Sequence, residues 1–176
     1  MSLKWRYRRT IAAFLGLALV LVAAALTPAL RRNSSSLNLM FSPPDLYSPM
    51  AATDIDLSQD SRSFSIKFQN KYPGLHWLAI EVERPRTTVE GYVSNIVLNL
   101  EISSSNAILV KETITGLGNP FWSENRGGYA LHWYRSPRDL PLGQPLSVTV
   151  TVVHGDSTFQ QQHGWSKLVV KKLSDE

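Results

Sequence analysis

Cysteine is absent from the 176 residues. This excludes disulfide staples, thiol catalysis, thiolate metal sites, iron–sulfur clusters and lipid attachment through an N-terminal Cys. Other absences narrow the chemistry further. No G-x-S-x-G elbow is present to position a serine nucleophile, and no glycine-rich phosphate loop follows a strand pattern. Neither nucleotide fingerprint occurs. Persuasive helical periodicity is also missing from the polar part of the chain.

Charge is missing from one long stretch. Between Arg9 and Arg31 there is no charged residue, and Thr10–Leu30 reads TIAAFLGLALVLVAAALTPAL. Twenty apolar residues in a helix span roughly 30 Å, the thickness of a bilayer's hydrocarbon core. The pattern predicts a single transmembrane helix over 10–30. The competing reading is a cleaved secretory signal, with Lys4, Arg6, Arg8 and Arg9 as its basic region and Ala23-Ala24-Ala25 or Thr27-Pro28-Ala29 as its cleavage site. The length of the run and the charges Arg31 and Arg32 directly after it favour a retained anchor. Four basic residues before the run against two after it predict a cytoplasmic N-terminus and an exported C-terminal domain. Both readings place that domain outside.

The overall charge of +4 belongs to the N-terminus. Residues 1–32 hold six of the 18 Lys and Arg and none of the 14 Asp and Glu, which leaves residues 33–176 at a net −2. A near-neutral exported domain lacks the concentrated basic face that nucleic acid requires. About 120 residues suffice for one core without staples. The expected organisation is a basic tail at 1–9, the span at 10–30, a Ser/Pro-rich linker at 31–52 and one domain at 53–176. The linker contains Pro43-Pro44, which favours an extended course. It also carries apolar Leu37, Leu39, Met40, Phe41, Leu46 and Tyr47, and a sequon at Asn33-Ser34-Ser35.

From about residue 54 the apolar period is two. Phe64, Ile66 and Phe68 alternate with Ser65, Lys67 and Gln69, and Leu78, Ile80 and Val82 alternate with Ala79, Glu81 and Glu83. The same holds for Ile96, Leu98, Leu100 and Ile102, and for Leu146, Val148, Val150 and Val152. Each pattern predicts a strand with one buried face. Weaker strand patterns cover Asp54–Ser58, Ala107–Thr115, Tyr129–Tyr134 and Ser166–Leu173. Turn residues at Tyr72-Pro73-Gly74, Gly127-Gly128, Leu142-Gly143 and His154-Gly155-Asp156 separate them. Seven or eight short strands predict an all-β fold, a single antiparallel immunoglobulin-like β-sandwich behind the N-terminal helix. The segment Tyr129–Val153 resembles the strand–corner–strand crossover of many immunoglobulin-like bacterial domains. That resemblance implies architecture only, and the Cys…Trp…Cys signature is absent.

Several groups of polar residues have a chemical and a structural reading. Glu81 and Glu83 share one strand face about 7 Å apart, a spacing that serves acid–base work in some enzymes, but the face opposite Leu78–Val82 is expected to be solvated. Asp54, Asp56, Ser58 and Asp60 resemble a calcium loop without its turn glycine or its bidentate Glu, so a strand with outward acids is the simpler reading. His154, Asp156 and His163 bracket one loop without the spacing of a short metal motif. No catalytic residue, metal or cofactor is expected.

Recognition has better candidates. The loop Gly116–Gly128 (GLGNPFWSENRGG) centres on Phe121 and Trp122, with Glu124 and Arg126 beside them. This is the composition of an interface hot spot, unless Trp122 folds back to plug the sandwich. The second candidate is the face of Leu75, Trp77 and Ala79, apolar although it lies opposite a core face, which requires a cover. The expected function is that of a non-enzymatic, membrane-anchored interaction module, an accessory subunit that docks a protein partner or a larger membrane complex. The alternative is a soluble exported binding or immunity-type protein that recognises carbohydrate or a toxin.

Overall fold

The period-two stretches fold as strands. The computed structural model describes residues 14–23, 43–83, 94–123 and 126–173. The chain divides into two compact units, Met1–Pro43 and Pro44–Glu176. In the first, residues 14–23 are helical (α1), with their apolar side chains exposed except for half-buried Leu21. Ten residues of helix reach about 15 Å, half a hydrocarbon core. Among the described residues no helix is long and apolar enough to cross a membrane. The remainder of the expected span, 10–13 and 24–30, lies outside the described residues, as do the basic tail and most of the linker.

The second unit consists of β1 (Ala51–Asp54), β2 (Ser63–Gln69), β3 (Gly74–Val82), β4 (Val97–Ser103), β5 (Ile108–Thr115), β6 (Pro120–Ser123), β7 (Arg126–Ser136), β8 (Pro145–His154), α2 (Ser157–His163) and β9 (Ser166–Lys172). Two antiparallel sheets form, in the orders β1-β9-β3-β7-β6 and β2-β8-β4-β5. Their facing rows make the core. Leu78, Ile80 and Val82 of β3 and Leu168 and Val170 of β9 join Leu98, Leu100 and Ile102 of β4 and Leu146, Val148, Val150 and Val152 of β8 in one cluster. The expected alternation therefore holds in register: Phe64, Ile66 and Phe68 pair with Val150, Val148 and Leu146.

Strand order departs from the immunoglobulin arrangement, in which the first two strands are neighbours in one sheet. Here β1 and β2 lie in different sheets, and so do β2 and β3, β3 and β4, β7 and β8, and β8 and β9. With the short edge strand β6 set aside, 1-9-3-7 facing 2-8-4-5 is the order of a jelly roll built from two Greek keys. Periodicity tells which residues face inward. It does not tell which strands become neighbours, because that depends on pairing between distant segments.

The β unit also begins earlier than the alternation indicates. Leu46 is buried. The Met50 N–H donates to the Val170 carbonyl at 2.8 Å, and β1 starts at Ala51 rather than Asp54. The Asp45 carboxylate accepts the Tyr72 hydroxyl at 2.6 Å and the Lys71 ammonium at 3.0 Å. The final part of the expected linker, 44–52, thus packs as part of the sandwich. A short helix, α2, was not legible in the sequence. Asp156 caps it by accepting the N–H groups of Thr158 and Phe159 at 2.8 and 3.2 Å. The fully buried Phe159 ring sits 5.6 Å from Tyr129.

Two measurements test these assignments. Val150 is wholly buried, whereas Thr149 next to it faces out and bonds Ser65 at 2.7 Å. Val150→Asp should cost several kcal/mol and unfold the unit, because it buries an unpaired charge, whereas Thr149→Asn should shift the melting temperature little. Equal melting temperatures would refute the register. The second measurement uses acid. The Tyr72 hydroxyl and then Lys71 hold the Asp45 carboxyl below its ordinary 3.8, and the hydroxyl and N–H of Ser58 do the same for Asp56 with help from Arg62. A depressed carboxyl contributes stability that is complete above its unfolded value and is lost as pH falls through its folded value. Stability should therefore fall below about pH 4. The double variant Asp45→Asn, Asp56→Asn should be less stable at neutral pH, and its deficit should vanish in acid.

Candidate functional site

β3 carries apolar residues on both faces. From His76 to Val82 every residue is buried. One face meets the opposing sheet. On the other, Trp77, Ala79, Ala130 of β7 and Val169 of β9 form a second cluster, against which Phe121 and Leu173 pack. Cross-strand pairing assembles it: Ala79 stands opposite both Ala130 and Val169, and Trp77 opposite both Trp133 and Lys171. A register shift at Leu78/Ala79 accommodates the extra residue Leu131 in β7.

The two recognition candidates meet on this outer face. The segment Gly116–Gly128 is not an open loop, because residues 120–123 form β6 and pair with β7. That pairing brings the Phe121 ring to 4.1 Å from the Trp77 ring, tilted by 48°. Gly127 and Gly128 lie within β7 instead of making a turn. Gly128 is required there, since a Cβ would collide with the Ile80 carbonyl and the Glu81 backbone of β3. A glycine inside a strand commonly marks such a close approach.

Trp77 is covered by this packing and is 8% exposed, with Leu75 half-buried beside it. The Leu75 carbonyl accepts the Leu173 N–H at 2.9 Å. The backbone of Trp122 pairs with Gly127 in β6, and that of Arg126 with Ser123 in β7. Their side chains, and all of Glu124, lie outside the described residues. Sequence reasoning passed over Trp133, which is 57% exposed on this face next to Trp77. Its signal was present in the H-W-Y-R run of β7, but the bulge at Leu131 inverts the parity that would have assigned its face.

Electrostatics on this face differ from the expectation for a solvated strand. Glu81 is 6% exposed, and its carboxylate lies 3.6 Å from Lys171 Nζ. Phe121 and the cross-strand neighbours bury the face that alternation alone leaves open. At the far end of β9, Lys167 Nζ sits 5.1 Å from the Trp165 ring centroid, within cation–π range.

The acid and histidine groups singled out in the sequence do not gather into one site, although Asp60 Oδ1 and His154 Nδ1 lie 3.6 Å apart at the surface. Asp56 accepts the Ser58 hydroxyl at 2.6 Å and pairs with Arg62 at 2.8 Å. Asp60 accepts the Gly155 N–H, and Asp156 caps α2. His163 is buried against Phe159 and Tyr129. Among the described residues no group of three or more side chains could hold a metal ion. A buried polar cluster lies inside the sandwich, where the Tyr134 hydroxyl donates to Asn70 at 2.9 Å and its ring stacks on His76 at 5.2 Å. Burial pushes the Tyr134 phenol far above its ordinary value. This arrangement holds loops, since the Asn70 amide in turn donates to the Pro141 carbonyl. His132 bridges the sheets through Glu112 at 2.8 Å.

The glycine contact yields a paired test. Gly128→Ala should force β3 and β7 apart beneath Phe121 and lower the melting temperature by roughly 10 °C. Gly118→Ala, whose Cβ meets nothing within 4 Å, should leave it unchanged. Similar melting temperatures for the two variants would refute the close approach.

No protein-family model matches the chain, and no curated protein matches it. Among solved structures, a protein from Sulfurospirillum deleyianum is similar with a TM-score of 0.53 and 8% identity, over 72% of this chain and 98% of that one. A family GH115 4-O-methyl-α-glucuronidase with specificity for decorated arabinogalactans aligns at a TM-score of 0.35 and 10% identity, over 70% of this chain but only 14% of its own length. The second likeness is too slight to carry an argument. The first shows a shared fold alone.

Proposed function

We propose that the chain is a non-enzymatic, membrane-anchored binding module whose exported β-sandwich docks a protein partner through the outer face of the five-stranded sheet. The observation that carries this reading is the juxtaposition of Phe121 and Trp77 with the exposed Trp133. Interface hot spots are enriched in Trp, Tyr and Arg. Arg135 lies on the same outward row as Trp133 and is exposed. Trp122 of β6, Arg126 of β7 and Glu124 between them in sequence are proposed to complete the contact. The anchor rests on the uncharged run at 10–30, whose described part is helical, and on its basic flank. The basic excess before the run supports a cytoplasmic N-terminus and an exported sandwich.

The test is made on the full chain in its membrane. A periplasmic-type reporter fused after Glu176 should be active, and an active cytoplasmic reporter there would reject the topology. Mild-detergent purification should recover a partner whose affinity falls by about 2 kcal/mol, some thirty-fold in Kd, in Trp133→Ala. The melting temperature should hold, because the ring is largely exposed. Unchanged affinity would move the interface off this face.

A further inference from the structure

The other outer face of the sandwich has opposite chemistry. Two rows of polar residues cross all four strands of the second sheet in register: Ser63–Thr151–Asn99–Thr113 and, beside it, Ser65–Thr149–Glu101–Lys111. Strands stand about 4.8 Å apart and alternate residues about 7 Å apart, so the eight side chains make a regular grid. Most are short. The face is hollowed where Asn99, Glu101, Lys111, Thr113, Thr149 and Thr151 surround a depression of about 460 Å³. That is within the range of small-ligand sites.

The grid is already ordered by its own hydrogen bonds. The hydroxyls of Ser63 and Thr151 are 2.8 Å apart, and those of Ser65 and Thr149 are 2.7 Å apart. The Thr113 hydroxyl donates to the Asn99 side-chain oxygen at 2.8 Å, which leaves the Asn99 amide nitrogen as a donor. A hydroxyl has one donor and two acceptor positions, so the Ser63–Thr151 pair keeps a donor and acceptors for a ligand, whereas the Ser65–Thr149 pair keeps acceptors, because the Ser65 hydroxyl also donates to the Val148 carbonyl at 3.2 Å. Glu101 and Lys111 stand opposite one another and cancel in charge.

We infer that this depression is a binding site for a neutral glycan chain. The chemistry selects that occupant against others. A phosphate-bearing ligand requires an excess of positive charge, and the balanced Glu101 and Lys111 supply none. A protein partner is disfavoured by composition, since interface cores are depleted in Ser, Lys and Glu and rich in aromatics. A polyhydroxylated, uncharged chain presents alternating donors and acceptors at ångström spacing, and the grid answers with the same. Preordered side chains limit the entropy lost on binding. This site lies on the opposite sheet from the proposed protein-docking face, and neither depends on the other.

The test uses the detergent-solubilised full chain, passed over immobilised dextran, laminarin, xyloglucan and galactan, with polygalacturonate and heparin as charged controls. Retention on at least one neutral glycan is expected. Asn99→Ala and Thr151→Val should each reduce it at least tenfold with the melting temperature preserved, and Trp133→Ala should leave it intact. Should either grid variant melt early, Lys111→Met, exposed at the rim, replaces it with the same expected loss. No retention on any neutral glycan would overturn the inference. Equal retention by the grid variants would do the same, as would loss in Trp133→Ala or retention confined to the charged polymers.

Discussion

β3 is the strand on which the rest of the molecule depends, because it is buried on both faces. Such a strand cannot alternate apolar and polar residues in the ordinary way. Its inward row of Leu78, Ile80 and Val82 meets the opposing sheet, and its outward row of Trp77, Ala79 and Glu81 needs a separate cover. Three features follow from that need. Small residues at Ala79 and Ala130 let the Trp77 and Phe121 rings lie close to the sheet. Gly128 lets β7 approach β3 where any side chain would collide. Glu81, drawn into the covered face, is placed beside Lys171. An isolated buried carboxylate would be strongly destabilising, and its pairing with a cation moderates that cost.

Legibility in the sequence follows the same division. Strands with one solvated face were readable: in β2, β4 and β8, residues such as Ile66, Leu100 and Val150 alternate with Ser65, Asn99 and Thr149, and all fall in register. The outward row of β3 was half readable. Trp77 stood out as apolar on a face that should be wet, but the same rule left Glu81 in solvent, where it is not. Elements of one or two turns or pairs escaped notice. β6 has four residues and begins with Pro120, and α2 has seven, too few to establish a period. Phe121 and Trp77 were each singled out from local pattern, but their meeting depends on a hairpin that reads as a loop and on pairing across roughly fifty positions of sequence. The jelly-roll order was hidden for the same reason: it is a property of long-range neighbours, and alternation is a property of short ones.

A sandwich has two outer faces, and in this one they are chemically distinct. The five-stranded sheet turns rings and a buried ion pair outward. The four-stranded sheet turns out hydroxyls, amides, the Glu101–Lys111 charge pair and, along β2, Lys67. Neither is the lysine- and glutamate-rich surface that keeps an ordinary antiparallel face solvated. The difference arises strand by strand. β3 and β7 carry Trp77 and Trp133 in outward register, whereas β8 carries Thr149 and Thr151. The core between them is built from the intervening residues of the same strands, so changes on either face can be made without repacking it.

Low net charge has a consequence for both faces. Residues 33–176 carry 12 basic and 14 acidic side chains, so no long-range field steers a partner toward the domain. Association without steering proceeds at the modest rates set by orientation, and specificity must come from contact chemistry. Anchoring, as proposed, supplies what steering does not. A domain held at the membrane meets partners in that membrane, or glycans next to it, at an effective concentration set by its tether and not by dilution. If both proposed sites engage their neighbours, the two reinforce one another wherever geometry lets both bind at once. The pairing of Glu101 with Lys111 and of Glu81 with Lys171 fits that arrangement, because excess charge of either sign would favour indiscriminate adhesion to the surfaces around it.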